Sequence, residues 1–174
     1  MPLFDGNADV DVRSAVISPC GLYRYLLGRR WAPEARGYVL WVMLNPSTAD
    51  AAVDDPTIRR CVGFSKSWGY GGLFVVNLFA LRATDPAALR DEPSAVGPEN
   101  DRHILDALRG AELVVAAWGA EGWQAMRNRA KVVGELLMHA PCKLVMLGAT
   151  KDGSPRHPLY VRGDSQPLPY DPKP

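Results

Sequence analysis

The stretch YVLWVMLNPSTADAAVDDPTIRR runs from Tyr38 to Arg60. Its first seven residues, Tyr38 to Leu44, are apolar without alternation. That is the pattern of a strand covered on both faces. At Asn45 the chain turns polar: Asn45-Pro46-Ser47-Thr48, then Asp50, Asp54 and Asp55, then Arg59 and Arg60. Asp55 before Pro56 reads as an N-cap and a proline at the first helical position. The segment TIRRCVGFSKSW then carries a helix to Trp68, and Gly69, Gly71 and Gly72 stop it. A buried strand that ends in an amide, hydroxyls and charges looks like the lip of a ligand pocket.

Outward from this stretch the same alternation continues. Three more apolar runs follow: LFVVNLF (Leu73 to Phe79), ELVVAAW (Glu112 to Trp118) and KLVMLG (Lys143 to Gly148). Between them lies PENDRHILDALRGA, with Ile104, Leu105 and Leu108 on one face. A third helical segment places Trp123, Met126, Ala130, Val133 and Leu137 at helical spacing, a core stripe rather than a cofactor box. Upstream, SAVISP and YRYLLGRRW read as an antiparallel pair joined by a tight turn. The expected fold is α/β: a three-layer sandwich with a parallel-centred four-stranded sheet flanked by helices, plus the N-terminal antiparallel strand pair. A length of 174 residues fits a single domain, with 1–12 and 163–174 as peripheral tails.

Composition narrows the function classes. Twenty basic residues against nineteen acidic leave a net charge of +1, without the footprint of a strongly basic nucleic-acid binder. No apolar run approaches the roughly 20 residues that span a bilayer, so no membrane partner is expected. The first residues lack the parts of a signal peptide, which suggests a cytoplasmic protein. Cys20, Cys61 and Cys142 are too scattered for a zinc or iron–sulfur site and read as reduced thiols. The loop bearing Asp50, Asp54 and Asp55 lacks the Gly and Glu of a calcium loop. No phosphate-binding glycine motif or nucleophile elbow is present, so neither a metal nor a cofactor is expected.

In parallel sheets ligands bind beyond the carboxyl ends of the strands. The first such end offers Asn45, Pro46, Ser47 and Thr48. The second offers Asn77, then Arg82. The third offers Trp118 and Gly119, and the fourth leads through GATKDGSP to His157. Together they make the mixture that a flat, hydrogen-bonding ligand needs: an apolar wall with a few oriented polar groups. Each has a plainer reading. Asn45 before a proline can cap the strand. Asn77 can bond a nearby loop, Trp118 can be core, and Asp54, Arg59 and Arg60 can be solvated. His103 and His139 lie in helical segments and read as surface residues.

Two resemblances bear on these residues. MLNPSTAD, DDPTIRRCVGFSKSWGYGGLFVVNLFALRATDP, GPEND and AWG resemble a bacterial and phage family of unknown function, DUF1643, over roughly residues 20–160. The order of the motifs also resembles the uracil-DNA glycosylase superfamily. MLNPS stands where that superfamily has its first pocket motif, FVVNLF where it has a base-reading Asn, AAWG where it has Leu-Trp-Gly, and RHPLY near its histidine motif.

This second resemblance implies a glycosylase-like fold. In it Asn45 positions a water for attack at the sugar C1′, with Asp50 or Asp54 as substitutes, and Asn77 hydrogen-bonds a base edge. His157 donates to the departing base, and Trp118 or Phe79 stacks on it. The serines that pinch DNA phosphates are missing from LYVRGDSQPLP. The implied partner is therefore a small nucleobase or nucleotide, or a single flipped base.

Three functions stay open: an N-glycosidase-like hydrolase, a non-catalytic nucleotide-binding or partner-recognition module, and a hydrolase built on Ser47 or Asp50 with Arg59, Arg60 and Arg82 gripping an anion.

Overall fold

The apolar run after Arg36 forms the centre of one sheet in a computed structural model that describes residues 12–120 and 122–172. Chain order is β1 (Val12–Ile17), β2 (Arg24–Arg30), β3 (Arg36–Met43), α1 (Pro56–Ser67), β4 (Tyr70–Asn77), α2 (Asn100–Leu108), β5 (Ala111–Ala116), α3 (Gln124–Leu137), β6 (Lys143–Met146) and β7 (Leu168–Pro169). The seven strands lie in the order β1-β2-β4-β3-β5-β6-β7. β4, β3, β5 and β6 run parallel. β1 and β2 are antiparallel to their neighbours, and so is β7 at the far edge.

The period-two alternation of strands decides the layers. Leu40, Val42, Phe74, Val76, Val114 and Ala116 face one way and meet Ile104 and Leu108 of α2 and Met126 and Val133 of α3. Val39, Trp41, Met43, Leu73, Val75 and Val115 face the other way and meet Ile58 and Phe64 of α1. Each of the Val, Leu, Ile, Phe and Met side chains among them, fully buried, contributes about 1.5–3 kcal/mol. This explains why the runs carry no polar alternation: both faces are roofed.

The fold is α/β with a mixed sheet, and it departs from the sequence reading in detail. A seventh strand extends the sheet: within 163–174, read as a surface tail, Leu168–Pro169 pairs with β6, and Tyr170 N–H donates to Leu144 O. Of the expected tails, residues 1–11 and 173–174 lie outside the described residues. Gly71 and Gly72 do not belong to the helix stop but to β4; only Gly69, at φ +81°, ends α1. A Cβ on Gly71 would stand 2.0 Å from Ala32 O, so this is a close backbone approach. His103 is not a plain surface residue: it is half-buried on α2 and stacks on Tyr25 at 4.8 Å.

After β3 the chain passes through α1 to β4, then through α2 to β5 on the opposite side of β3. The strand order therefore reverses beside β3. The loops leaving adjacent carboxyl ends part there and open a crevice.

Candidate functional site

That crevice holds a cavity of about 510 Å³. Its wall draws on every parallel strand end. Met43 ends β3 and Leu44, Asn45 and Ser47 follow it, Val75 and Asn77 end β4, Trp118 and Gly119 follow β5, and Thr150, Arg156 and His157 lie beyond β6. Asp55, Thr57 and Ile58, at the start of α1, close one side.

Asn45 is fixed by its own amide. Nδ2 donates to Pro46 O at 3.0 Å and to Ala83 O at 2.8 Å. Both amide hydrogens are thereby used, and Oδ1 is left as an acceptor. Asn77 is the last residue of β4 and alternation turns it toward α1, with Val75. Its side chain is 1% exposed, and neither Nδ2 nor Oδ1 has a partner. Only its backbone is engaged: Asn77 O accepts from Asn100 Nδ2 at 2.9 Å. An unsatisfied buried amide costs about 1–3 kcal/mol, so a residue that keeps one signals something beyond folding.

His157 precedes a proline and is extended, at φ −68° and ψ 138°. Its Nδ1 accepts from Leu159 N–H at 3.3 Å, which leaves Nε2 to carry the proton of a neutral ring. Burial lowers its pKa, and the nearby Asp55 carboxylate offsets part of that. The loop carrying His157 is pinned from outside. Arg60 of α1 donates from Nε to Pro158 O at 3.2 Å and from Nη2 to Val161 O. Gly119, at φ +80°, sends its N–H to Pro155 O at 2.8 Å. A Cβ there would lie 3.4 Å from the His157 Cβ. Trp118 is buried, edge-on to Tyr170 at 5.7 Å.

Six of the residues singled out in the sequence therefore share one cavity: Asn45, Ser47, Asn77, Trp118, Gly119 and His157. Pro46, Thr48, Asp50, Asp54, Arg59 and Arg82 are not on its wall. Asp50 Oδ1 accepts from Ala52 and Val53 N–H, and these bonds lower its pKa. Asp54 pairs with Arg29, Arg59 donates to Asp54 O, and Arg82 donates to Gly21 O. The anion grip expected from Arg59, Arg60 and Arg82 is not assembled there. Phe79 stacks on Trp123 in the core instead of reaching the cavity.

Sequence reading missed two charged residues of the wall. Arg24 of β2 is 2% exposed, with Nη1 donating to Ala49 O at 2.5 Å and Nε without a partner. Burial pushes its pKa down to about 10, partly offset by Asp55. The signal was a lone cation inside YRYLLG. Asp55 was read only as a helix cap, and Asp55 Oδ1 does accept Ile58 N–H at 2.8 Å.

A larger groove of about 1250 Å³ borders the amino-terminal ends of β3 and α2's outer face. Three of its arginines are ion-paired: Arg36 with Glu112, and Arg102 and Arg109 with Asp106. None of the partnerless buried polar atoms among the described residues lines it. No cluster of three or more His, Cys, Asp or Glu among the described residues could hold a metal ion. Cys20 is exposed, Cys61 buried and Cys142 half-buried, all free. No helix among the described residues is long and apolar enough to cross a membrane.

Residues 24–159 match a family model described as a protein of unknown function, DUF1643. No curated protein and no solved structure matches.

Proposed function

The chain belongs to the DUF1643 family of unknown function, and we propose that its strand-end cavity takes a nucleobase or nucleotide, or a single flipped base, and acts as an N-glycosidase-like hydrolase. The observation that carries this reading is the Asn77 amide, 1% exposed and partnerless, on a wall it shares with Asn45 and His157. An amide with one free donor and one free acceptor is complementary to a base edge that offers the reverse pair.

The chemistry follows from the remaining groups. Asn45 Oδ1 accepts from a water and orients it toward C1′. The water oxygen bonds to C1′ while the C1′–N bond breaks, its electron pair passing to the base. His157, neutral with Nε2–H, donates to the base as charge develops there. The water's proton returns to the base nitrogen through solvent. Trp118 supplies the apolar wall.

A second reading is a binding module without turnover. It is favoured by the state of Asp55, the one carboxylate among the lining residues, which already caps α1. Chromatographic assay of base release from nucleosides, nucleotides and uracil-containing single-stranded DNA separates the two. Release that Asn77→Ala abolishes supports hydrolysis. Tight binding without release supports the module. Neither binding nor release with any of these ligands ends both readings.

A further inference from the structure

We infer that Arg24 is a specificity residue of this cavity, selecting an acidic lactam heterocycle: a ring that presents adjacent C=O and N–H groups to Asn77 and a second oxo group to Arg24. The inference rests on the nucleobase reading above and names its substrate class.

Arg24 is a buried cation without an ion-pair partner among the described residues. Its exposure is 2%, its Nη1 holds one backbone carbonyl, and its Nε holds nothing. The charges that face it are Asp55 at the start of α1, Asp50 in the loop before it, Arg29 on its own strand and Arg82 beyond β4. The two acids draw on it and the two arginines push against it, yet neither acid comes within ion-pairing distance. At a pKa of about 10 the guanidinium stays charged at neutral pH. A buried charge of this kind is costly unless an acceptor meets it, and truncating a partner of such a charge is costlier still. Since Arg24 and Asn77 line one cavity, a single ligand can satisfy both.

The pair of groups restricts that ligand. Asn77 asks for one donor and one acceptor side by side, and Arg24 asks for an acceptor or a negative charge. Uracil-type rings meet all three requirements. Their ring N–H is acidic, and the charge of the conjugate base spreads onto the oxo oxygens, where a desolvated cation holds it strongly. Guanine-type rings place an amino group at the third position, against a donor, and are rejected because two donors then face each other.

Calorimetric titration of the full chain at one neutral pH, with uracil, the more acidic 5-fluorouracil, guanosine and inorganic phosphate, tests this. Wild type is expected to bind 5-fluorouracil more tightly than uracil and to refuse guanosine. Arg24→Met is expected to bind both pyrimidines about ten- to hundredfold more weakly and to lose the preference between them, and Arg24→Lys to retain part of it. The acidity series needs only wild type, so it stands even where Arg24→Met fails to fold. Uracil bound without any preference for the more acidic ring overturns the role of Arg24 and leaves the nucleobase reading intact. Phosphate competing with uracil overturns it too, by giving Arg24 a phosphate as its partner. No binding of any base or nucleoside overturns both.

Discussion

Arg24 and Arg29 lie five residues apart on β2, and each is 2% exposed, but the chain treats them differently. Arg29 donates to Asp54 Oδ1 from Nε at 2.8 Å and Nη2 at 2.7 Å, to Gly28 O at 2.8 Å and to Asp50 O at 2.6 Å. Arg24 has one backbone carbonyl. Asn100 and Asn77 repeat the contrast. Asn100 Nδ2 clamps Asn77 O and Leu78 O, with only Oδ1 unmet, while the Asn77 amide meets nothing. Arg29 and Asn100 hold the fold together; Arg24 and Asn77 are tolerated by it, and both line the same cavity.

Stability measurements can break that contrast. Arg29→Met takes from Asp54 its closer cation, leaving Arg13 at 3.6 Å, and is expected to cost about 3–5 kcal/mol in urea unfolding. Asn100→Ala, which frees two backbone carbonyls, is expected to cost about 1–3 kcal/mol. Asn77→Leu removes only partnerless groups and should stay within about 1 kcal/mol of wild type while abolishing nucleobase binding. An Asn77→Leu protein as damaged as Asn100→Ala would erase the distinction.

The smallest effect is on pH dependence. Burial holds the pKa of His157 and His103 below the ordinary 6.5, so the unfolded chain binds their protons more readily. Their contribution is complete above that value and fades as pH falls through it toward the folded-state pKa values. His157→Gln should flatten part of this acid limb, and His103→Phe the other part. A limb unchanged in the double variant would show that neither ring is held neutral.

The four parallel strands and the first helix were legible because burial on both faces leaves long apolar runs, and because Asp55-Pro56 states a helix start outright. β7 was not, since two exposed residues, Leu168 and Pro169, carry no periodicity. Within the site, Asn45, Asn77 and His157 announced themselves by interrupting apolar or proline-flanked segments. Asp50 and Asp54 were misleading for one reason: a carboxylate in a loop looks the same whether it turns inward or satisfies its neighbours. Asp50 binds the backbone of its own turn, and Asp54 binds Arg29, which is 25 residues upstream. Arg24 was overlooked because a strand-borne arginine ordinarily points to water, and only the three-dimensional roof over it shows otherwise.

Tyr170 lies against Trp118, and its N–H is held by Leu144. One panel of the cavity is thus braced by a residue made more than fifty positions after the tryptophan it supports. During synthesis on the ribosome the sheet's centre can form early, while this panel waits for the nascent chain to pass residue 170. The wall of the cavity should therefore be completed late in translation, after most of the hydrophobic interior has closed.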